Sequence, residues 1–227
     1  MTGFAEKEFV RYYKGDRRIR AHIEALHAAE PRADKFTGEI ATAVAKITDC
    51  HCIIAKLSRE IADLNRPPSP LNKDSLRAVR EYREAIREIL EHIGNIGADG
   101  KVSRPYLRLS LHGLSRRRSA DVIIGTLKGK SCSPDVKERL LNMLSEGLKE
   151  IKGEDVKIES EGAFAGNVSL GYLRDGDGVI GYVGFGEGFN SIQLEISREL
   201  REFHRLELIF LLCRVIVEMS ASLERRG

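Results

Sequence analysis

The chain has 227 residues, 42% hydrophobic and 31% charged, enough apolar material for one substantial core; disordered and collagen-like classes are excluded. Its 37 Lys and Arg against 34 Asp and Glu leave a net charge of +3, too small to imply a nucleic-acid or membrane partner. Cys50, Cys52, Cys132 and Cys213 are too sparse for the framework of a small secreted domain and read as reduced thiols. The opening stretch carries Glu6, Lys7, Glu8 and Arg11 and lacks the apolar run of a secretory signal, so a cytoplasmic protein is expected. The late apolar run Leu206 to Val217 is broken by Glu207 and Arg214 and is shorter than the ~20 residues that cross a bilayer. A single domain over residues 1–227 is expected.

In chain order, Thr37 to Ile47 reads as a helix with Thr37 as N-cap, and Cys52 to Leu57 as a buried strand. Asn65 to Pro70, with three prolines in four positions, is a loop. Asp74 to Ile93 carries Leu76, Val79, Tyr82, Ile86, Ile89, Leu90 and Ile93 at the three-and-four spacing of an amphipathic helix. Tyr106 to Leu111 alternates with period two, a strand that delivers His112 to the end of a sheet, where sites in open α/β sheets are assembled. Val122 to Gly125 is a further strand, and Pro134 to Ile151 a helix with Pro134 in its first turn. Two glycine-punctuated strands are expected over Ala163 to Tyr172 and Val179 to Phe185, a third over Ile192 to Ile196, and a closing helix over Glu202 to Leu223. Helices alternating with strands predict an α/β fold: a single-domain mixed β-sheet flanked by helices.

Several motifs are discounted on geometry. Gly125 to Ser131 has three residues between its glycines where a phosphate-binding loop needs four. Gly176, Gly178 and Gly181 match a dinucleotide fingerprint but precede an expected strand rather than open a helix, so a hairpin turn is the better reading. Cys50-His51-Cys52 alternates faces on a strand with no second cysteine pair at zinc spacing, which favours core packing. The basic runs Arg17, Arg18, Arg20 and Arg116 to Arg118 read as solvated faces; with no recognisable nucleic-acid fold, no nucleic-acid partner is expected.

His27 and Glu30, three apart, together with the remote His112, supply two imidazoles and one carboxylate, a set that binds catalytic zinc and leaves a position open. The same spacing also fits a plain amphipathic segment over Ala21 to Glu30. His22, His51, His92 and His204 have no partner block and read as structural or exposed; Asp63 and Asp121 are candidate outer supports for ligating histidines.

As a set, Ser58 to Arg66, Leu111 to Ser115, Ile124 to Thr126 with Ser131-Cys132, and Gln193 to Ser197 resemble the N-formylglutamate amidohydrolase family, related to the zinc carboxypeptidases and the succinylglutamate and aspartate deacylases. The blocks run in the family's order from about residue 24 to residue 205. The resemblance implies a zinc-carboxypeptidase-like fold (phosphorylase/hydrolase-like), and one Zn2+ per chain, or another divalent metal, held by His27, Glu30 and His112. It implies that Asn65 and Arg66 grip the substrate's carboxylate, that Glu195 takes a proton from the attacking water, and that Arg116 stabilises developing charge. The opening block departs from the family, with Leu26 before the histidine and Ala28-Ala29-Glu30 after it, which is closer to the deacylases and carboxypeptidases. The implied activity is amide hydrolysis of a small acylated amino acid or short acidic peptide. The alternatives are a carboxypeptidase-like peptidase and a non-catalytic, metal-containing binding protein.

Overall fold

The computed structural model describes residues 3–69, 71–114, 120–160, 168–176 and 181–225. Its strands are β1 (Ala5–Glu6), β2 (Val10–Tyr13), β3 (Ala21–Ala25), β4 (His51–Ala55), β5 (Tyr106–Gly113), β6 (Val122–Gly125), β7 (Ile158–Ser160) and β8 (Phe189–Ile196). Its helices are α1 (Thr37–Thr48), α2 (Lys73–His92), α3 (Pro134–Lys152), α4 (Val168–Asp175), α5 (Arg198–Glu202) and α6 (Arg205–Glu224). Among the described residues no helix is long and apolar enough to cross a membrane.

All eight strands form one mixed sheet in the order β1-β2-β4-β3-β5-β8-β6-β7. The central four, β4, β3, β5 and β8, are mutually parallel, while β2 and β6 flank them antiparallel. One face is covered by α1, α3 and α6, where Ile40, Val44, Leu140, Leu144, Leu212 and Ile216 meet sheet residues such as Ile23, Leu109 and Leu194. On the other face Val79, Tyr82, Ile86 and Leu173 of α2 and α4 pack with Val10, Ile53 and Phe189.

Parallel strands covered on both faces normally read as continuous apolar runs. Here β3, β5 and β8 alternate although every residue but Gly113 is buried. With successive side chains on opposite faces, Ala21, Ile23 and Ala25 point to the first core, and so do Leu107, Leu109, Leu111, Ile192, Leu194 and Ile196. The intervening His22, Glu24, Arg108, Ser110, His112, Ser191, Gln193 and Glu195 therefore form a buried polar stripe on the other face. The segment open to a helical reading, Ala21 to Glu30, is thus a strand followed by a loop.

Three further expectations change. The N-cap position of α1 is Phe36, in a left-handed conformation with φ 72°, and the Thr37 hydroxyl donates to the Asp34 carbonyl instead. Of the strand expected over Ala163 to Tyr172, residues 163–167 lie outside the described residues and the remainder is helical, with Leu170 and Leu173 buried on one side. Residues 181–185 form no strand; 179 and 180 lie outside the described residues. Gly176, with φ 85°, explains the turn: a Cβ there would come within 2.2 Å of the Tyr182 carbonyl oxygen, so backbone packs on backbone where a strand would place side chains.

His51 sits in β4 with both ring nitrogens engaged: Nδ1 accepts from the Gly15 N–H and Nε2 donates to the Ile19 carbonyl, each at 3.0 Å. Only the neutral ring serves both, and burial, reinforced by His22 and His92, pulls its pKa down to about 3. The unfolded chain binds this proton near pH 6.5, so the stabilisation is complete above that value and is lost as pH falls towards 3. Unfolding in urea should show His51 alone removing about 2 kcal/mol between pH 7 and pH 5. His51→Asn should flatten that slope; an unchanged slope would show that the ring titrates normally.

Candidate metal centre

The polar stripe ends at the carboxyl edge of the parallel strands, where β3, β5 and β8 bring His27, His112 and Glu195 together. His112 and Glu195 are register partners on adjacent strands. His27 lies two residues beyond β3, and the loop after it folds back so that the Asp34 N–H donates to the His27 carbonyl at 2.7 Å. Thr37 then takes the Asp34 carbonyl through both its amide and its hydroxyl, anchoring the loop to the start of α1. Gly113 permits the approach, because a Cβ there would lie 3.1 Å from the Asp34 Cβ and 2.9 Å from an Arg201 nitrogen. Arg201 ties the ends together, donating to the carbonyls of Lys35 and Ile196.

The result is a triangle of donor atoms. His27 Nδ1 and His112 Nδ1 are 3.1 Å apart, and Asp34 Oδ2 lies 3.4 Å from the first and 3.5 Å from the second. The outer nitrogens are both engaged, His27 Nε2 with Asp63 at 2.8 Å and His112 Nε2 with the Ser110 hydroxyl at 3.1 Å. The Asp63 carboxylate can only accept, which favours a proton on His27 Nε2, and the Ser110 hydroxyl can accept one from His112 Nε2; with both protons outward, two lone pairs and a carboxylate oxygen turn towards one point. Tetrahedral donors bound at about 2.0–2.1 Å lie roughly 3.3–3.4 Å from one another, so the donor set fits a zinc-sized ion. A carboxylate behind one imidazole is also the usual outer support of a ligating histidine.

The electrostatics agree with a site built for positive charge. Burial opposes ionisation of Asp34, yet the adjacent imidazoles of His112 and His27, with Arg59 alongside, hold its carboxyl far below the usual range. Burial lowers the pKa of His112, whereas at His27 the Asp34 and Asp63 carboxylates outweigh burial and raise it. Glu195 is pushed up to about 7, by burial first and then by the charge of Asp34, against a hydrogen bond from Gln193.

Set against the sequence reading, His27, His112 and Glu195 converge, and Glu30 does not join them. Its side chain is exposed and, among the described residues, accepts from the Ala33 N–H at 3.5 Å, because the chain leaves β3 as a loop that turns this residue outward. The carboxylate of the triangle is Asp34, seven positions after His27. Glu195, in an alternating strand that could have faced solvent, is buried. Arg66 is at the rim, its side chain 65% exposed and paired with Asp63 at 3.1 Å. The side-chain amide of Asn65 faces inward, donating to Gln193 at 3.1 Å and accepting from Arg108 at 3.4 Å. Asp63 does support His27, while Asp121 instead joins Lys152 and the backbone of Lys157. Arg116 lies outside the described residues. Missed by the sequence reading were Asp34 and Arg59, whose guanidinium pairs with Asp34 Oδ1. Cys50 and Cys52 are buried in the core, as packing predicts.

No protein-family model and no curated protein matches the chain. Solved structures do. An N-formylglutamate amidohydrolase from Ralstonia eutropha matches with a TM-score of 0.62 at 14% identity, over 96% of this chain and 99% of the other. A bacteriophage poly-γ-glutamate hydrolase matches at 0.51 and 13% identity, over 94% and 87%. A metallo-carboxypeptidase from Burkholderia cenocepacia matches at 0.50 and 15% identity, over 93% of this chain and 61% of the other. The chain therefore shares the fold of these hydrolases, one of them a metallo-carboxypeptidase, and its His27, Asp34 and His112 form a group able to hold a metal.

Proposed function

We propose that the protein is a zinc-dependent amidohydrolase that cleaves the amide bond of a small N-acyl amino acid resembling N-formylglutamate. The observation that carries this reading is the convergence of His27 Nδ1, His112 Nδ1 and Asp34 Oδ2 beside Glu195, at the carboxyl ends of parallel strands. His27, Asp34 and His112 would hold the zinc, in place of the set with Glu30. When bound, zinc lowers the pKa of water and polarises a carbonyl. Glu195 takes the proton of the attacking water and delivers it to the leaving nitrogen, so that the C–N bond breaks as the acyl carbon gains the hydroxyl and the products are a carboxylate and an amine. Arg59, paired with Asp34, would be the cation that stabilises charge developing on the carbonyl oxygen, the role that the resemblance gives to Arg116. Arg66 at the rim suits the free carboxylate of the amino acid, which a guanidinium binds in two places.

The test is turnover by zinc-loaded protein of N-formyl-, N-acetyl- and N-succinylglutamate, beside peptides with a free C-terminus. The expected result is amine release from an N-acylglutamate, lost in Glu195→Gln at unchanged zinc content. Cleavage of the peptides alone would make the protein a carboxypeptidase. Bound zinc without turnover of any substrate would leave a binding role.

A further inference from the structure

The buried ion pair behind the site has no part in the reaction above, yet it connects to it. Arg108 in β5 is fixed on every side: it pairs with Glu24 at 2.5 Å and donates to the Tyr82 hydroxyl at 3.0 Å and to the Ser191 hydroxyl at 2.7 Å. Its remaining reach is to Asn65 Oδ1 at 3.4 Å; Asn65 Nδ2 donates to Gln193 Oε1 at 3.1 Å, and Gln193 Nε2 to Glu195 Oε1 at 2.5 Å. The direction of this chain is forced. A guanidinium has donors only, so Asn65 turns its carbonyl towards Arg108 and its NH2 towards Gln193. Gln193 must then present its carbonyl to Asn65 and its own NH2 to Glu195. Each amide orientation follows from the one before it, starting at a cation that cannot move.

We propose that Asn65 and Gln193 are positioning residues that transmit the fixed guanidinium of Arg108 to the carboxylate of Glu195, so that Asn65 acts on the base rather than on the substrate. The proposal rests on Glu195 being the base of the reaction above; the hydrogen-bonded chain does not. Sequence position alone would pair Asn65 with its neighbour Arg66, but the two side chains diverge, one into the polar stripe and one to the rim.

Asn65→Asp tests the chain because it reverses it. An aspartate accepts from Arg108 and also from the Gln193 NH2, which turns the Gln193 carbonyl onto Glu195 and displaces the base. The expected result is a kcat reduced about ten- to a hundredfold with KM within about twofold and zinc content unchanged. Arg66→Met should do the opposite, raising KM. A rise in KM for Asn65→Asp with kcat retained would overturn the proposal and make Asn65 a substrate contact. A second readout needs no turnover. The side-chain NH2 of Gln193, assigned in 15N–1H spectra by its loss in Gln193→Leu, should exchange slowly in the wild type and shift and exchange faster in Asn65→Asp. An unmoved signal would show that the chain does not exist, whether or not the protein is an amidohydrolase. If Asn65→Asp does not fold, Gln193→Leu breaks the same link from the other side and should lower kcat alone, while an unaltered kcat would refute the proposal.

Discussion

Asp34→Ala is expected to leave the purified protein without bound zinc, whereas Glu30→Ala should retain about one ion per chain. The difference follows from the loop after β3. A His and a carboxylate three apart can meet on a helix or across a tight turn, but here the chain folds back in a wider loop through the hydrogen bond from Asp34 N–H to the His27 carbonyl. That closure carries the Asp34 carboxylate to 3.4–3.5 Å from both ligand nitrogens and leaves Glu30 at the surface. Elemental analysis after desalting checks the pair, with His27→Ala and His112→Ala as controls that should also lose the ion. Asp63→Asn, which weakens only the support behind His27, should reduce affinity by the ~10–100-fold typical of outer partners, readable by competition with a chelating dye. Zinc retained by Asp34→Ala and lost from Glu30→Ala would mean that the loop takes another path around the ion.

That loop also shows where a sequence stops being readable. The helices α1, α2, α3 and α6 were legible because a repeat of three and four survives wherever one face is apolar over several turns. His112 was legible for a related reason, a period-two strand ending beside it, whereas Glu195 came only from the resemblance, because its alternating strand fits a surface position equally well. The strand β3, Ala21–Ala25, was not. Its five residues alternate small, polar and apolar types, and its two polar ones, His22 and Glu24, are buried only because Arg108, Tyr82 and Tyr106 from distant segments surround them. Asp34 was hidden similarly, since its place depends on Thr37, Arg59 and Gly113, residues three to seventy-nine positions away. Glycine spacing misled over residues 168–172, which are helical, and over 181–185, where backbone packed against Gly176 imitates strand punctuation.

Arg108→Met is expected to cost about 3–5 kcal/mol of stability at neutral pH, the penalty for leaving one member of a buried ion pair without its partner. Glu24 is fully buried, and Arg108 is what overcomes burial and holds its carboxyl down to about 2. Without the guanidinium, Glu24 keeps only the Tyr82 hydroxyl and His22, and burial then favours the protonated acid. The stability of Arg108→Met should therefore rise as pH falls and Glu24 is neutralised, the reverse of the wild-type pair, whose stabilisation declines below the ordinary carboxylate pKa, so the loss shrinks from both sides. Glu24→Gln/Arg108→Met removes both charges and should recover most of the loss, since replacing a whole buried pair is often neutral. Urea unfolding of the three proteins at two pH values reads these outcomes, and a single-variant cost below about 1 kcal/mol would mean the pair is solvated. The recovered double variant is the informative protein. If stability were the reason for the pair, an apolar replacement would serve as well; but this variant lacks the cation that orients Asn65, Gln193 and Glu195, so it should fold normally, bind zinc and still turn over slowly. A stable, zinc-loaded and slow variant would place the value of Glu24–Arg108 in aiming the base across the sheet rather than in holding the sheet together.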